Sequence, residues 1–218
     1  MTEIQEKTIP VMMAGHDVIA KAPTGTGKTC AFGIPVAEHI LPENKYPQAV
    51  IMAPTRELAQ QIAQELEELT YFMPEVQVAA CTAVPTWKAG KAPCRGCQIV
   101  VATPGRLMDH YKHHSIDISH VTQIVLDEAD EMLNMGFYKD VRHIIEMMKA
   151  RKSLSMFSAT ISREVMDIAG CTSTTPRRSP SSPRKKASPR SPSICWRPPA
   201  ATSFPTLHRS SLVRTTSG

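Results

Sequence analysis

The sequence predicts an α/β fold, a mainly parallel sheet flanked by helices on both faces, over residues 1–170 of the 218-residue chain. Two observations carry this. Short apolar runs alternate with helical patterns between residues 17 and 169, as expected of strands buried on both faces and joined by helical crossovers. Several polar motifs also stand immediately after a predicted strand, where open α/β sheets bind their ligands.

Taken in order, "DVIAKA" (17–22) is the first predicted strand, and "KAPTGTGKT" (21–29) leaves it to open a helix near Lys28. "AVIMAP" (49–54) is the second strand. The stretch "RELAQQIAQELEELTYF" (56–72) keeps Leu58, Ile62, Leu66 and Leu69 on one stripe, the pattern of an amphipathic helix lying on a sheet. "VQVAAC" (76–81), "QIVVATP" (98–104) and "TQIVLDE" (122–128) supply three more strands. A second amphipathic helix, "YKDVRHIIEMMKA" (138–150), aligns Val141, Ile144, Ile145 and Met148 before the last strand, "SLSMFSA" (153–159). No internal repeat interrupts this order.

Composition divides the chain at about Gly170. Residues 171–218 hold nine of the 25 Lys and Arg, eight of the 18 Pro and none of the 20 Asp and Glu. The first 170 residues therefore carry 16 basic against 20 acidic side chains, a net of −4, although the whole chain is +5. A folded part with that balance holds nucleic acid through local patches and not through a global basic field. No apolar run approaches the roughly 18 residues that span a bilayer, and no leader opens the chain, so no membrane partner and a cytoplasmic location are expected. The six cysteines follow no disulfide framework, and free thiols are expected. Cys94 and Cys97 in "CRGC" have metal-like spacing but no second pair at a suitable distance, so no zinc site is expected there.

Two motifs carry chemistry. In "KAPTGTGKT" the glycines let successive N–H groups curl around a phosphate while the following helix N-terminus adds positive charge. The pattern is G-x-x-x-x-G-K-[ST] with Ala22 in place of the first glycine. Thr24, Gly25, Thr26, Gly27, Lys28 and Thr29 are the candidate contacts: Lys28 for the β- and γ-phosphates, the Thr29 hydroxyl for magnesium. In "IVLDEAD" (124–130) a buried strand ends in consecutive acids expected to point in different directions, because side chains alternate along an extended backbone. Asp127 is the expected magnesium ligand and Glu128 the group that orients and deprotonates an attacking water. Asp130, ahead of "EMLNM", suits either a functional role or an acidic helix N-cap.

With those residues in hand, the sequence resembles the first RecA-like domain of the DEAD-box ATP-dependent RNA helicases, a P-loop NTPase fold. Six motifs occur in the family's order: "TEIQEKTIP" (2–10), "APTGTGKT" (22–29), "PTRELA" (54–59), "TPGR" (103–106), "DEAD" (127–130) and "SAT" (158–160). "VLDEADEMLNMGF" is similar to bacterial members. The resemblance implies ATP and Mg²⁺ as cofactors and places Gln5 on the adenine edge, where an amide donates and accepts at once. It implies that Thr55, Arg56, Thr103, Gly105 and Arg106 grip the backbone of single-stranded RNA without reading bases, RNA being selected through its 2′-hydroxyl. Taken alone, Arg56 and Arg106 read as surface salt-bridge partners. Ser158 and Thr160 are implied to couple the nucleotide site to RNA release.

The family mechanism uses a second RecA-like domain that supplies an arginine to the γ-phosphate. No "ARGxD" or "HRxGRxGR" motif follows "SAT", so the expectation is a fragment that binds ATP·Mg and RNA weakly and does not unwind alone. Alternatives are a non-catalytic nucleotide- or RNA-binding module and a DNA helicase of the same superfamily; a GTPase is disfavoured because no N-K-x-D motif is present.

The chain opens at Met1 where the family motif usually carries Pro, with no aromatic upstream, and an N-terminal truncation of the domain is expected to account for that; two further departures from the family pattern remain. Thr82 and Ala83 stand where a Gly-Gly pair is usual, and residues 171–218 turn to Ser, Pro and Arg. A reading-frame slip accounts for both, since a one-base offset in degenerate back-translation restores a Gly-Gly pair and a charge-balanced continuation. A disordered basic arm in loose contact with RNA is the competing reading of the tail.

Overall fold

The computed structural model describes residues 1–82, 94 and 96–170, together with the backbone of residues 194–196. The first half of the chain forms α1 (Glu3–Met13), β1 (Val18–Lys21), α2 (Lys28–Glu38), β2 (Ala49–Met52), α3 (Arg56–Leu69), β3 (Val78–Ala80) and β4 (Ile99–Ala102). The second half forms α4 (Pro104–Lys112), β5 (Gln123–Leu126), α5 (Ala129–Asn134), α6 (Tyr138–Met147), β6 (Ser153–Ser158), α7 (Arg163–Gly170) and β7 (Ile194–Trp196). All six predicted strands are present, each within its predicted run.

The sheet order is β3-β4-β2-β5-β6-β1-β7. The first six strands are mutually parallel, and β7 adds an antiparallel edge beside β1. Apart from β7, the predicted tail lies outside the described residues, as does Ala83 with the stretch to residue 93.

Period-two alternation divides each strand between two cores. Ala49, Ile51, Ile99, Val101, Val125 and Phe157 pack with Phe32, Ile62 and Leu66 beneath α1, α2 and α3. Val50, Met52, Val100, Ile124, Leu126 and Met156 pack with Leu107, Met132, Ile144 and Ile168 beneath α4 to α7. Central strands whose two faces are both covered must be apolar throughout, which is why β2, β4 and β5 read as unbroken apolar runs. Each large aliphatic side chain so buried contributes about 1.5–3 kcal/mol.

The amphipathic helices form on the predicted stripes, with two differences. The helix over 56–72 ends at Leu69, and Thr70 closes it by donating its hydroxyl to the Leu66 carbonyl at 2.8 Å. Tyr71 and Phe72 are left exposed and stacked edge to face. At α3 only Ile62 and Leu66 of the predicted stripe are fully buried, while Leu58 and Leu69 pack at its margin.

One expectation is overturned. Cys81 and Cys94 are joined in a disulfide that closes a 13-residue separation, so free thiols do not describe this pair. The sequence offered no signal because the two cysteines fit no disulfide-framework spacing and meet only in the folded chain. Cys30 and Cys97 are free, and burial pushes the Cys97 thiol up to about 11.

Candidate functional site

Three adjacent strands end side by side, because β1 and β5 both pair with β6, which sets Lys21 beside Ser158 and Leu126 beside Met156. The loops that leave them carry the phosphate motif, the paired acids and the Ser-Ala-Thr triplet.

The phosphate loop turns through two left-handed glycines, Gly25 at φ 80° and Gly27 at φ 81°. Gly27 caps α2, so the amides of the first turn of α2 face the loop's concave side. Gly27 also lies close against α1. A Cβ there would stand 2.6 Å from Gln5 Nε2. Gln5 donates to the Gly27 carbonyl at 3.2 Å and accepts from the Thr2 amide at 2.9 Å. The Thr2 hydroxyl donates to the Thr26 carbonyl at 3.0 Å, so α1 is pinned to the loop at two points. The sequence reading missed Thr2; its signal is the Thr-x-x-Gln spacing that ties a first-turn glutamine back to the residue before the helix.

Lys28 is only 6% exposed and its Nζ lies 3.1 Å from Asp127 Oδ1 and 3.8 Å from Glu128 Oε1. The Thr24 hydroxyl donates to Glu128 Oε1 at 2.8 Å. Asp127 is 2% exposed, and burial raises its carboxyl above the usual range against the pull of Lys28. Thr29 is half-buried in the first turn of α2. The expected divergence of the two acids is not what the chain adopts. Glu128 takes a left-handed conformation, φ 52° and ψ 50°, which ends the extended backbone and brings its carboxylate to the same ammonium as Asp127. A non-glycine residue there is uncommon, and it marks a position whose side-chain direction is fixed by the surrounding structure.

Asp130 is not the helix cap, since α5 begins at Ala129 with Glu128 before it. Its Oδ2 accepts from the Thr160 amide at 2.9 Å and the Thr160 hydroxyl at 2.8 Å. Ser158 accepts from the Asp130 amide at 3.2 Å and donates to the Thr160 carbonyl at 2.6 Å. Burial works to raise the Asp130 carboxyl, but the Ser158 and Thr160 donors outweigh it and hold it below the ordinary range. Ser158 and Thr160 are thus tied to Asp130 in the first turn of α5.

The remaining predicted residues lie on the neighbouring pair of strands. β2 and β4 end level, Met52 beside Ala102, and each is followed by a helix whose N-cap is a threonine. The Thr55 hydroxyl accepts from the Leu58 amide at 3.2 Å, and Thr103 precedes Pro104 at the start of α4. Gly105 has open space where a Cβ would stand. Arg56 is exposed, whereas Arg106 pairs with Asp109 at 3.3 Å, the surface ion pair that its sequence surroundings alone suggested.

A family profile for DEAD/DEAH box helicases matches residues 2–168. The chain belongs to the DEAD/DEAH box helicase family. Among curated DEAD-box relatives it is 44% identical over 160 residues to the ATP-dependent RNA helicase CshA of Listeria monocytogenes, covering 73% of this chain and 31% of that protein. It is 42% identical over 166 residues to the ATP-dependent RNA helicase DeaD of Escherichia coli K12, covering 76% of this chain and 26% of that one. The chain therefore spans at most about a third of the length of these relatives. Among solved helicase structures, a hypothetical ATP-dependent RNA helicase from Sulfolobus tokodaii superposes with a TM-score of 0.72 at 38% identity, over 79% of this chain and 50% of that one. The helicase fold of this chain is accordingly RecA-like. No helix among the described residues is long and apolar enough to cross a membrane.

Proposed function

We propose that this chain is the ATP-binding part of an ATP-dependent RNA helicase, acting on single-stranded RNA through its backbone. The observation that carries the reading is one buried lysine, Lys28, held between Asp127 and Glu128 at the ends of β1 and β5. Such a cation pre-positions two carboxylates that would otherwise repel each other, and it is the group that an incoming triphosphate draws away.

In that reading Gly25 and Gly27 open the loop so that its amides meet the phosphates, while Thr24 and Thr26 line it. Lys28 exchanges its carboxylate partners for β- and γ-phosphate oxygens. Asp127 fits a hard divalent cation: it is a buried oxygen donor whose burial is not fully offset by Lys28. Asp127 and the Thr29 hydroxyl would hold magnesium, whose role is to neutralise phosphate oxygens. Glu128, released from Lys28 and Thr24, accepts the proton of the attacking water. Gln5, fixed by Thr2 and Gly27, reads the adenine edge.

RNA lies across the helix starts at Thr55 and Thr103, whose first-turn amides and hydroxyls suit phosphate oxygens. Arg56 is free to join them, and Arg106 joins by leaving Asp109. Asp130, Ser158 and Thr160 link the two regions. Efficient hydrolysis depends on a second RecA-like domain supplying an arginine, because among the described residues Lys28 is the cation paired with the site's carboxylates. Unwinding by residues 1–170 alone is not expected.

The reading is tested by titrating a fluorescent ATP analogue with magnesium into the wild-type chain and K28A. Affinity is expected to fall at least tenfold in K28A, the loss of roughly one charge-assisted contact. Equal affinities would remove the nucleotide site as described. Single-stranded RNA is expected to bind more tightly than DNA of the same sequence; the reverse order would favour a DNA helicase.

A further inference from the structure

A second cluster of chemistry-bearing side chains lies away from the nucleotide site. Cys81 follows β3, Cys94 sits in the loop that returns to β4, and His110 projects from the second turn of α4. One ligand atom of each lies within 4.8 Å of the other two, and all three residues are buried. A buried imidazole against two sulfurs is a soft, desolvated donor set. The Ser115 hydroxyl stands 2.8 Å from His110 Nδ1, holding the ring as outer partners of metal-ligating histidines do. Cys94 and Ser115 both line a cavity of about 430 Å³, which gives the cluster an approach from the surface.

We propose that in its reduced form this chain binds zinc through Cys81, Cys94 and His110. Two thiolates and an imidazole match the ligand preferences of zinc among common divalent ions. The disulfide is the alternative state of the same sulfurs, so metal and oxidation exclude each other. A phosphine supplies two electrons to the S–S bond and becomes a phosphine oxide by taking the oxygen of a water, whose two protons go to the sulfurs, leaving two thiols. Zinc then displaces both thiol protons, and the His110 imidazole supplies the third protein ligand while the Ser115 hydroxyl helps to orient the ring. Cys97 lies three residues beyond Cys94 with its thiol on the Cys94 carbonyl at 3.0 Å, and it contributes no atom to the group. The spacing in "CRGC" is therefore incidental, and the fold supplies the partners that the sequence pattern lacked.

The test is a cobalt(II) titration of the full chain, reduced with a phosphine under anaerobic conditions and followed by zinc displacement. The reduced wild type is expected to take up one equivalent, with thiolate-to-cobalt charge-transfer absorption and tetrahedral ligand-field bands that zinc abolishes. The oxidised wild type is expected to show none, a comparison that needs no substitution and so no refolding control. C81S and C94S lose the bands, C30S and C97S keep them, and S115A weakens affinity by about 10- to 100-fold. A reduced wild type with no thiolate–cobalt band overturns the proposal, as does a band that persists in C81S or C94S.

Discussion

Gly27 bears two constraints at one atom position. Its φ of 81° disfavours any side chain, and a Cβ would meet Gln5 Nε2 at 2.6 Å. The first is a backbone strain of about 1–2 kcal/mol; the second pushes α1 off the loop. G27A is therefore expected to lose at least tenfold in ATP affinity and to discriminate less between ATP and GTP. Adding Q5A removes the clash but neither the strain nor the loss of the adenine contact assigned to Gln5, so the double variant should regain at most part of the affinity and none of the discrimination. Titrations with the two fluorescent nucleotides check this, and full recovery in the double variant would show that strain is unimportant. Asp130 gives a pH prediction. Its folded-state carboxyl is depressed by the Thr160 and Ser158 donors. A depressed acid stabilises the fold above its ordinary value of 3.8, and that contribution is lost as pH falls through the lower folded value. Urea denaturation should find D130A less stable than wild type by about 1–3 kcal/mol at neutral pH. The gap should close as the pH is taken below the carboxylate range. A gap independent of pH would mean that Asp130 acts through packing and not through its charge.

At the scale of elements, α2 and α3 meet where Gly33 has no side chain. A Cβ at Gly33 would stand 2.8 Å from Leu66 Cδ2 and from Leu69 Cδ1. L66A alone should destabilise by about 2–5 kcal/mol through lost burial and a cavity. Alanine at Gly33 gains up to about 1 kcal/mol in helix propensity but crowds both leucines. In the L66A background half of that crowding is gone and the methyl enters the vacated space. A double-mutant cycle on thermal or urea unfolding should therefore show a favourable coupling of about 0.5–3 kcal/mol between G33A and L66A, whereas additive effects would contradict this packing. T55A should cost about 1 kcal/mol through the lost cap of α3, without any change at the nucleotide site. The helices α2, α3 and α6 and all six parallel strands were legible in the sequence, since periodicity and apolar runs are local signals, whereas α1, α4 and α7 were not read from periodicity. The phosphate loop was legible for the same reason, its residues being consecutive. Glu128 was misjudged because alternation holds only while the backbone stays extended, and its left-handed turn is imposed by the surroundings. The Cys81–Cys94 pair and its neighbour His110 were illegible because they are brought together only by the tertiary fold and follow no local spacing.

At the scale of the whole molecule, strand order decides what the motifs can do together, and no periodicity encodes it. β1, β6 and β5 lie side by side and carry the nucleotide residues, while β2 and β4 follow on the far side of β5 and carry the candidate RNA residues. The two regions share an edge and are joined across it where the Asp127 amide donates to the Met52 carbonyl at 2.9 Å. Asp127 and Glu128 leave β5, the strand that pairs with β2, so a shift in either acid is expected to reach the loop ahead of Thr55 and thereby couple the two candidate sites. Binding coupled in this way is reciprocal. Single-stranded RNA should tighten the fluorescent ATP analogue by the same factor by which ATP tightens the RNA; unequal factors would mean that one titration reports another event. Coupling of affinities alone does not give turnover. Phosphate release should stay near background with RNA and ATP, then rise by about 10³- to 10⁵-fold when a second RecA-like domain bearing the arginine is supplied in trans. E128Q should abolish that rise while leaving ATP affinity within a few-fold, because an amide keeps the contact with Thr24 but accepts no proton from water. An E128Q chain that still turned over ATP in the presence of the second domain would show that the base lies elsewhere in the assembly.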